Sequence, residues 1–242
     1  MNAYRQSPFS NITPVVKNLL IINLICFVPF IVLSDNNYDA LIVKNLGVFY
    51  FNSPFFRPWQ IISYMFIHGG WTHILFNMFA LFSFGPILEY AVGPKKFFNL
   101  YFICGIGAIG FQMLIQAIEV YNITGGVTIS QAMLDSSYLQ YGDHAQKLHD
   151  IYFGPVVGAS GAIFGLLVAF GMLYPNMELM IMFIPVPVKA KYIIPVYILI
   201  EIFLGFGQFG GDNVAHFAHL GGALLGFILI KIWGLQGPKN FY

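Results

Sequence analysis

Long apolar runs broken by charge, Gly or Pro dominate the chain, and six of them read as helices: Lys17 to Leu33, Thr72 to Val92, Phe97 to Glu119, Val157 to Tyr174, Ala190 to Phe206 and Asn213 to Trp233. A bilayer core takes about 20 residues of α-helix, so runs of this size predict membrane spans rather than the one-faced helices of a water-soluble core. The first run is short and the fifth contains Pro195 and Glu201, which makes these two the least regular. The predicted fold is all-α: a polytopic membrane protein built as a six-helix transmembrane bundle. It divides into a short N-terminal tail (1–16), the six-span domain (17–234) and a C-terminal tail (235–242). No A-x-A-like cleavage site follows the first run, so that run is expected to be a retained span.

Composition agrees with the pattern. Of 242 residues 58% are hydrophobic and 9% charged, against about 25% charged in an average soluble domain. A net charge of +1 gives no basic field for nucleic acid, which is excluded as a partner. Cys26 and Cys104 both lie inside apolar runs and are expected to be packing residues.

The cations then orient the bundle. In a six-span arrangement Arg5, Lys17, Lys95, Lys96, Lys189, Lys191, Lys231 and Lys239 all fall on one side, and only Lys44, Arg57 and Lys147 on the other, with Asp35, Asp39, Asp135, Asp143, Asp150 and Asp212. Lys and Arg near span ends resist translocation, so both termini are expected in the cytoplasm. The connections Ser34 to Trp71 and Val120 to Pro155 then lie outside it. Their length suggests functional or independent structural roles. The first, with Val48-Phe49-Tyr50-Phe51 and Phe55-Phe56, is expected to sit partly in the bilayer interface, where aromatics are favoured.

Polar groups at membrane depth are costly and mark sites of chemistry. His73 and Asn77 are four residues apart on one face of span two, Ser160 opens span four within Gly158-Ala159-Ser160-Gly161, and span six carries His216 and His219. Ser160 at a helix start has unpaired N–H groups beside it and needs a base to become a nucleophile. His219 shares its stripe with Gly222 and Gly226, and Gly161 and Gly165 flank Ser160. Bare helix faces let two backbones approach until short Ser and His side chains meet; a glycine zipper with an incidental histidine uses the same residues. His73 and Asn77 offer donors for an oxyanion, together with the Ser160 N–H. A metal held by His68, His73, His216 and His219 is the weaker reading, because no H-E-x-x-H occurs. Glu201 looks like an unpaired acid within span five, open to a relay role or a purely hydrogen-bonded one.

The ordered set Trp59-Gln60, His68, His73-Ile74-Leu75-Phe76-Asn77-Met78, Gly158-Ala159-Ser160-Gly161 and Ala218-His219-Leu220-Gly221-Gly222 resembles the rhomboid intramembrane serine proteases, over about Lys17 to Trp233. The resemblance implies a Ser–His dyad without a third acidic member: Ser160 as nucleophile, His219 as general base and later acid, and His73, Asn77 and the Ser160 amide holding the oxyanion. It implies no cofactor and no metal, membrane-anchored proteins as substrates, membrane lipid as surroundings, and a structural role for Glu89. Two departures stand out. The family's usual Trp-Arg reads Trp59-Gln60, removing a loop-anchoring cation, and Phe164 stands where some members stack a Tyr on the catalytic His. The lack of a transit peptide points to a bacterial plasma membrane.

Overall fold

The computed structural model describes residues 12–181, 184–207 and 214–237. Each apolar run becomes a helix: α1 (Pro14–Val32), α2 (Trp71–Val92), α3 (Pro94–Thr124), α4 (Ser160–Leu173), α5 (Ala190–Gly207) and α6 (His216–Ile232). Among the described residues α1, α2, α3 and α5 are long and apolar enough to cross a membrane, whereas α4 has 14 residues and α6 has 17. Helix α3 overruns its predicted end at Glu119 and stops where Gly125 turns left-handed at φ 79°. Arg5, Asp212, Asn213 and Lys239, which entered the span and orientation arguments, lie outside the described residues.

The helices turn large apolar side chains outward, as a lipid surrounding allows, and bury a few polar ones within a mainly apolar interior. α1 exposes Leu24, Ile25 and Val32, and α5 exposes Leu199, Phe203 and Phe206, while Asn23, Asn77, Glu89 and Gln116 are buried. With lipid as solvent there is no hydrophobic gain in joining helices, so close packing must hold them. Helix α4 packs at the centre against α6, α3 and α2. A Cβ on Gly222 would collide with the carbonyl of Gly161, and one on Gly226 with that of Gly165. Backbone therefore meets backbone along the α4–α6 seam. Helix α3 closes the other side of α4, with Ala108 against Gly161 and the Cys104 thiol against Gly165, so Cys104 is the packing residue its sequence context suggested.

Glu89, only 2% exposed, accepts hydrogen bonds from Thr13 Oγ1 (2.5 Å) and from the Val15 (3.1 Å) and Val16 (2.9 Å) amides. The two amides are orphan donors of the first turn of α1, capped here by a side chain from α2.

Both long connections are structured. In the first, Val48, Phe49 and Tyr50 are buried in the protein and Phe51 of that run is exposed. The second connection is built of short helices, Gln131–Asp135, Ser137–Tyr141 and Ala145–Phe153. Its Leu134, Leu148, Ile151 and Tyr152 form a separate core with Tyr50 and Val120. Tyr152 Oη donates to Asn52 Oδ1 at 2.8 Å and Ser53 Oγ to the Tyr152 carbonyl at 2.6 Å. The two connections thus cover one end of the bundle as a single unit, because their apolar residues bury one another. Finally, the fold is not wholly α: strands β1 (Glu178–Ile181) and β2 (Ile184–Lys189) pair antiparallel between α4 and α5, Glu178 opposite Lys189. Pro185 and Pro187 are tolerated because each strand of a two-stranded ribbon has an open edge.

Candidate active site

His73, Asn77, Ser160 and His219 all line one cavity of about 1010 Å³ bordered by α2, α4, α5 and α6. Ser160 is the first residue of α4, and its position is fixed from before the helix. Val156 exchanges backbone hydrogen bonds with Val48 (2.8 and 2.9 Å), and the Gly158 amide donates to the Tyr64 carbonyl at 2.9 Å. Gly158 has φ 117°, and a Cβ there would run into the His73 ring. Only glycine lets the chain pass over that imidazole into the helix.

The seam between α4 and α6 brings His219 Nε2 to 2.7 Å from Ser160 Oγ, within the range where proton transfer is possible. Phe164, one turn beyond Ser160, stacks on the His219 ring with centroids 4.4 Å apart and planes 9° from parallel. Phe in place of Tyr thus keeps the aromatic stack and lacks only the hydroxyl. Opposite, Asn77 is buried on α2 and its Nδ2 has no hydrogen-bond partner among the described residues. An unpaired buried donor costs about 1–3 kcal/mol and needs a reason. The amides that open α4 lack intrahelical acceptors too.

Glu201 is not the unpaired acid it resembles in the sequence. Its Oε2 lies 2.9 Å from His219 Nδ1 and 2.6 Å from His216 Nδ1. Sequence reasoning passed over both partners, since no periodicity links position 201 on α5 to 216 and 219 on α6. The available signal was depth: Glu201 sits late in span five, and the histidines early in span six, where consecutive antiparallel spans meet. Glu201, His216 and His219 present ligand atoms within 4.8 Å of one another, yet the 2.6 and 2.9 Å separations are those of hydrogen bonds. Ligands about 2.0–2.1 Å from a tetrahedral ion stand about 3.3 Å apart. His68 meets His73 edge to face at 5.0 Å, and neither joins the group formed by Glu201, His216 and His219, so the four histidines do not form one ligand set.

Gln60 supplies the loop anchor that a missing Arg seemed to remove. Fully buried, its Nε2 donates to the Phe55 carbonyl (3.1 Å) and the Lys44 carbonyl (3.2 Å) while Oε1 accepts the Arg57 amide (2.9 Å). Trp59 Nε1 adds a bond to the Asn45 carbonyl at 2.9 Å. The Arg57 guanidinium bonds the neighbouring carbonyls of Pro54 and Phe56.

Comparison with known proteins places these features in a family. The Rhomboid domain profile matches residues 56–235. The chain is 32% identical over 176 residues to the Rhomboid protease AarA of Providencia stuartii, covering 71% of this chain and 54% of that protein. It is 28% identical over 169 residues to Rhomboid protein 1, mitochondrial, of Saccharomyces cerevisiae (70% and 40%), and 28% identical over 183 residues to the Rhomboid protease GluP of Bacillus subtilis (76% and 27%). The chain therefore spans about half or less of the length of these relatives. With a profile covering most of its length and apolar helices suited to lipid, this multi-pass membrane protein belongs to the rhomboid family.

Proposed function

We propose that this chain is an intramembrane serine endopeptidase that hydrolyses peptide bonds in or near the transmembrane helices of membrane-anchored proteins. The observation that carries the proposal is the 2.7 Å contact between Ser160 Oγ and His219 Nε2 inside a cavity that also holds the unpaired Asn77 Nδ2. Ser160 Oγ attacks the scissile carbonyl carbon as its proton passes to His219 Nε2. The oxyanion of the tetrahedral intermediate takes hydrogen bonds from the Ser160 amide, Asn77 Nδ2 and the His73 ring. His219 then gives its proton to the departing amine, leaving an acyl-Ser160, and water activated by the same imidazole releases the acid product.

All six apolar helices span the membrane in this reading, within a catalytic domain of residues 17–234 between tails 1–16 and 235–242. Both termini face the cytoplasm, by the cation distribution, and the membrane is a bacterial plasma membrane. A substrate helix must unwind before attack, because a formed helix keeps its carbonyls in its own hydrogen bonds. The AarA and GluP relatives are named proteases, which supports the activity. The test is cleavage of a reporter membrane protein by purified enzyme, with fluorophosphonate labelling alongside. Ser160→Ala is expected to lose both signals with an unchanged melting temperature, a loss of about 10⁴-fold or more in kcat. Retained cleavage in Ser160→Ala overturns the proposal.

A further inference from the structure

The family resemblance implies a base with no acidic partner, yet the Glu201 carboxylate lies against His219. Resting on the Ser160–His219 reading above, we propose that Glu201 is a positioning residue for that base, and that His216 holds Glu201 in place. A carboxylate accepts hydrogen bonds and donates none. With Glu201 Oε2 at 2.9 Å, His219 Nδ1 carries the ring proton, so Nε2 presents its lone pair to the Ser160 hydroxyl at 2.7 Å. Tautomer and ring direction are thereby set together.

The carboxylate is itself held. His216 Nδ1 donates to the same oxygen at 2.6 Å, the short distance of a charge-assisted bond. His216 begins α6 and His219 follows it by three residues, so both imidazoles leave one helix face toward α5. Gly205, one turn beyond Glu201, keeps α5 close: a Cβ there would already stand 3.2 Å from His216 Cβ. Side-chain exposure is 13% for Glu201, 8% for His216 and 11% for His219, so bulk water does not compete for these bonds. The His219 ring is fixed on three sides, by Glu201 at Nδ1, Ser160 at Nε2 and Phe164 on its face.

Among the described residues the groups facing His219 are few. Ser160 and Phe164 come from α4, Glu201 from α5, His216 from its own helix and His73 from α2 across the cavity. Helix α3 brings Ala108 and Phe111 against Gly221. Among these, Glu201 is the acid, and its carboxylate also faces the positive charge that develops on the imidazole when Ser160 is deprotonated.

Steady-state cleavage by Glu201→Gln and Glu201→Asp, beside wild type and Ser160→Ala, tests the assignment. Glutamine keeps the shape but can place an N–H opposite Nδ1 and turn the ring's proton to Nε2. The expected result is a kcat lowered by about 10²-fold or more with KM and melting temperature unchanged, and partial recovery of kcat in Glu201→Asp. Nitrogen-15 NMR of histidine-labelled wild type, with His219→Gln for assignment, is expected to show His219 protonated at Nδ1, and Glu201→Gln to lose that signature. A merely structural tie between α5 and α6 moves the melting temperature and leaves the tautomer alone. An unchanged kcat in Glu201→Gln, with Ser160→Ala inactive, overturns the role of Glu201 and leaves the protease reading standing. Cleavage by Ser160→Ala overturns both. Should Glu201→Gln fail to fold, the wild-type spectrum still decides, because a proton on Nε2 of resting His219 overturns the assignment.

Discussion

Glu89 and Glu201 are both carboxylates set in apolar helices, and their surroundings differ in kind. Glu89, at the far end of α2 from His73, spends its oxygens on Thr13, Val15 and Val16, all groups at the start of α1. Those donors have nothing further to do. Glu201 is bound by two imidazoles, and a ring has a second nitrogen: that of His219 turns to Ser160. A buried acid in a membrane protein is satisfied in either place, as its cost requires. The difference is whether its partner passes the interaction on into a cavity. At one end of the bundle polarity is consumed in holding helices together, and at the other it is kept available.

That distinction breaks most visibly at Asn77. Its buried amide donor lacks a partner among the described residues, so it behaves as a cavity-side group only if its reward comes in the transition state. Asn77→Ala is expected to lower kcat by about 10²–10³-fold, the cost of one oxyanion donor, while thermal stability holds or rises slightly. A fall in melting temperature with kcat intact per folded molecule would place Asn77 with Glu89.

Glu89→Gln makes the opposite prediction. The isosteric amide can still accept from one or two of the three donors but loses charge against the positive end of α1. A loss of about 2 kcal/mol in stability is expected, since hydrogen bonds to charged groups contribute about 1.5–3 kcal/mol each and only part is retained. Fluorophosphonate titration of the remaining folded enzyme is expected to give unchanged kcat per active site. A selective loss of kcat would tie the two ends together and dissolve the contrast.

Much of this was legible in the sequence, for physical reasons that also mark where legibility stopped. Apolar runs become helices because lipid forces the backbone to satisfy itself within each segment. The glycine stripes at 161, 165, 222 and 226 forecast the α4–α6 seam, since side chains must be missing where backbones touch. The convergence of Ser160 and His219 followed from that seam. What could not be read was cross-helix pairing without a periodic signature. Glu201 looked unpaired because its partners lie on the next helix, and Gln60 looked like a lost anchor because an amide bonds carbonyls as well as a guanidinium does. Tyr50 and Tyr152, rings 5.3 Å apart, looked like parts of two separate loops because the core they share forms only when both connections fold. The β1–β2 ribbon was missed because its prolines argue against strands in general and not against a strand whose outer edge is free.

His68 sharpens the comparison from between the two ends. It lies outside α2, beside the cavity yet fully buried, and it shares with Glu89 a sealed position. Burial first, and then the neighbouring His73 imidazole, push its pKa down to about 3, against about 6.5 in an unfolded chain. The folded protein therefore keeps His68 neutral where the unfolded chain would bind a proton. Between those two values the unfolded state binds more protons, so stability rises with pH; the contribution is complete above about 6.5 and is lost progressively as pH falls toward 3. From pH 7 to pH 5.5 the loss from this one group is about 1.3 kcal/mol. Melting temperatures of wild type and His68→Gln over that interval measure it as a difference in slope, the variant being flatter whatever its absolute stability. Equal slopes would mean that His68 is protonated in the fold and has a partner for its charge, which would move it from the sealed class into the cavity-side one.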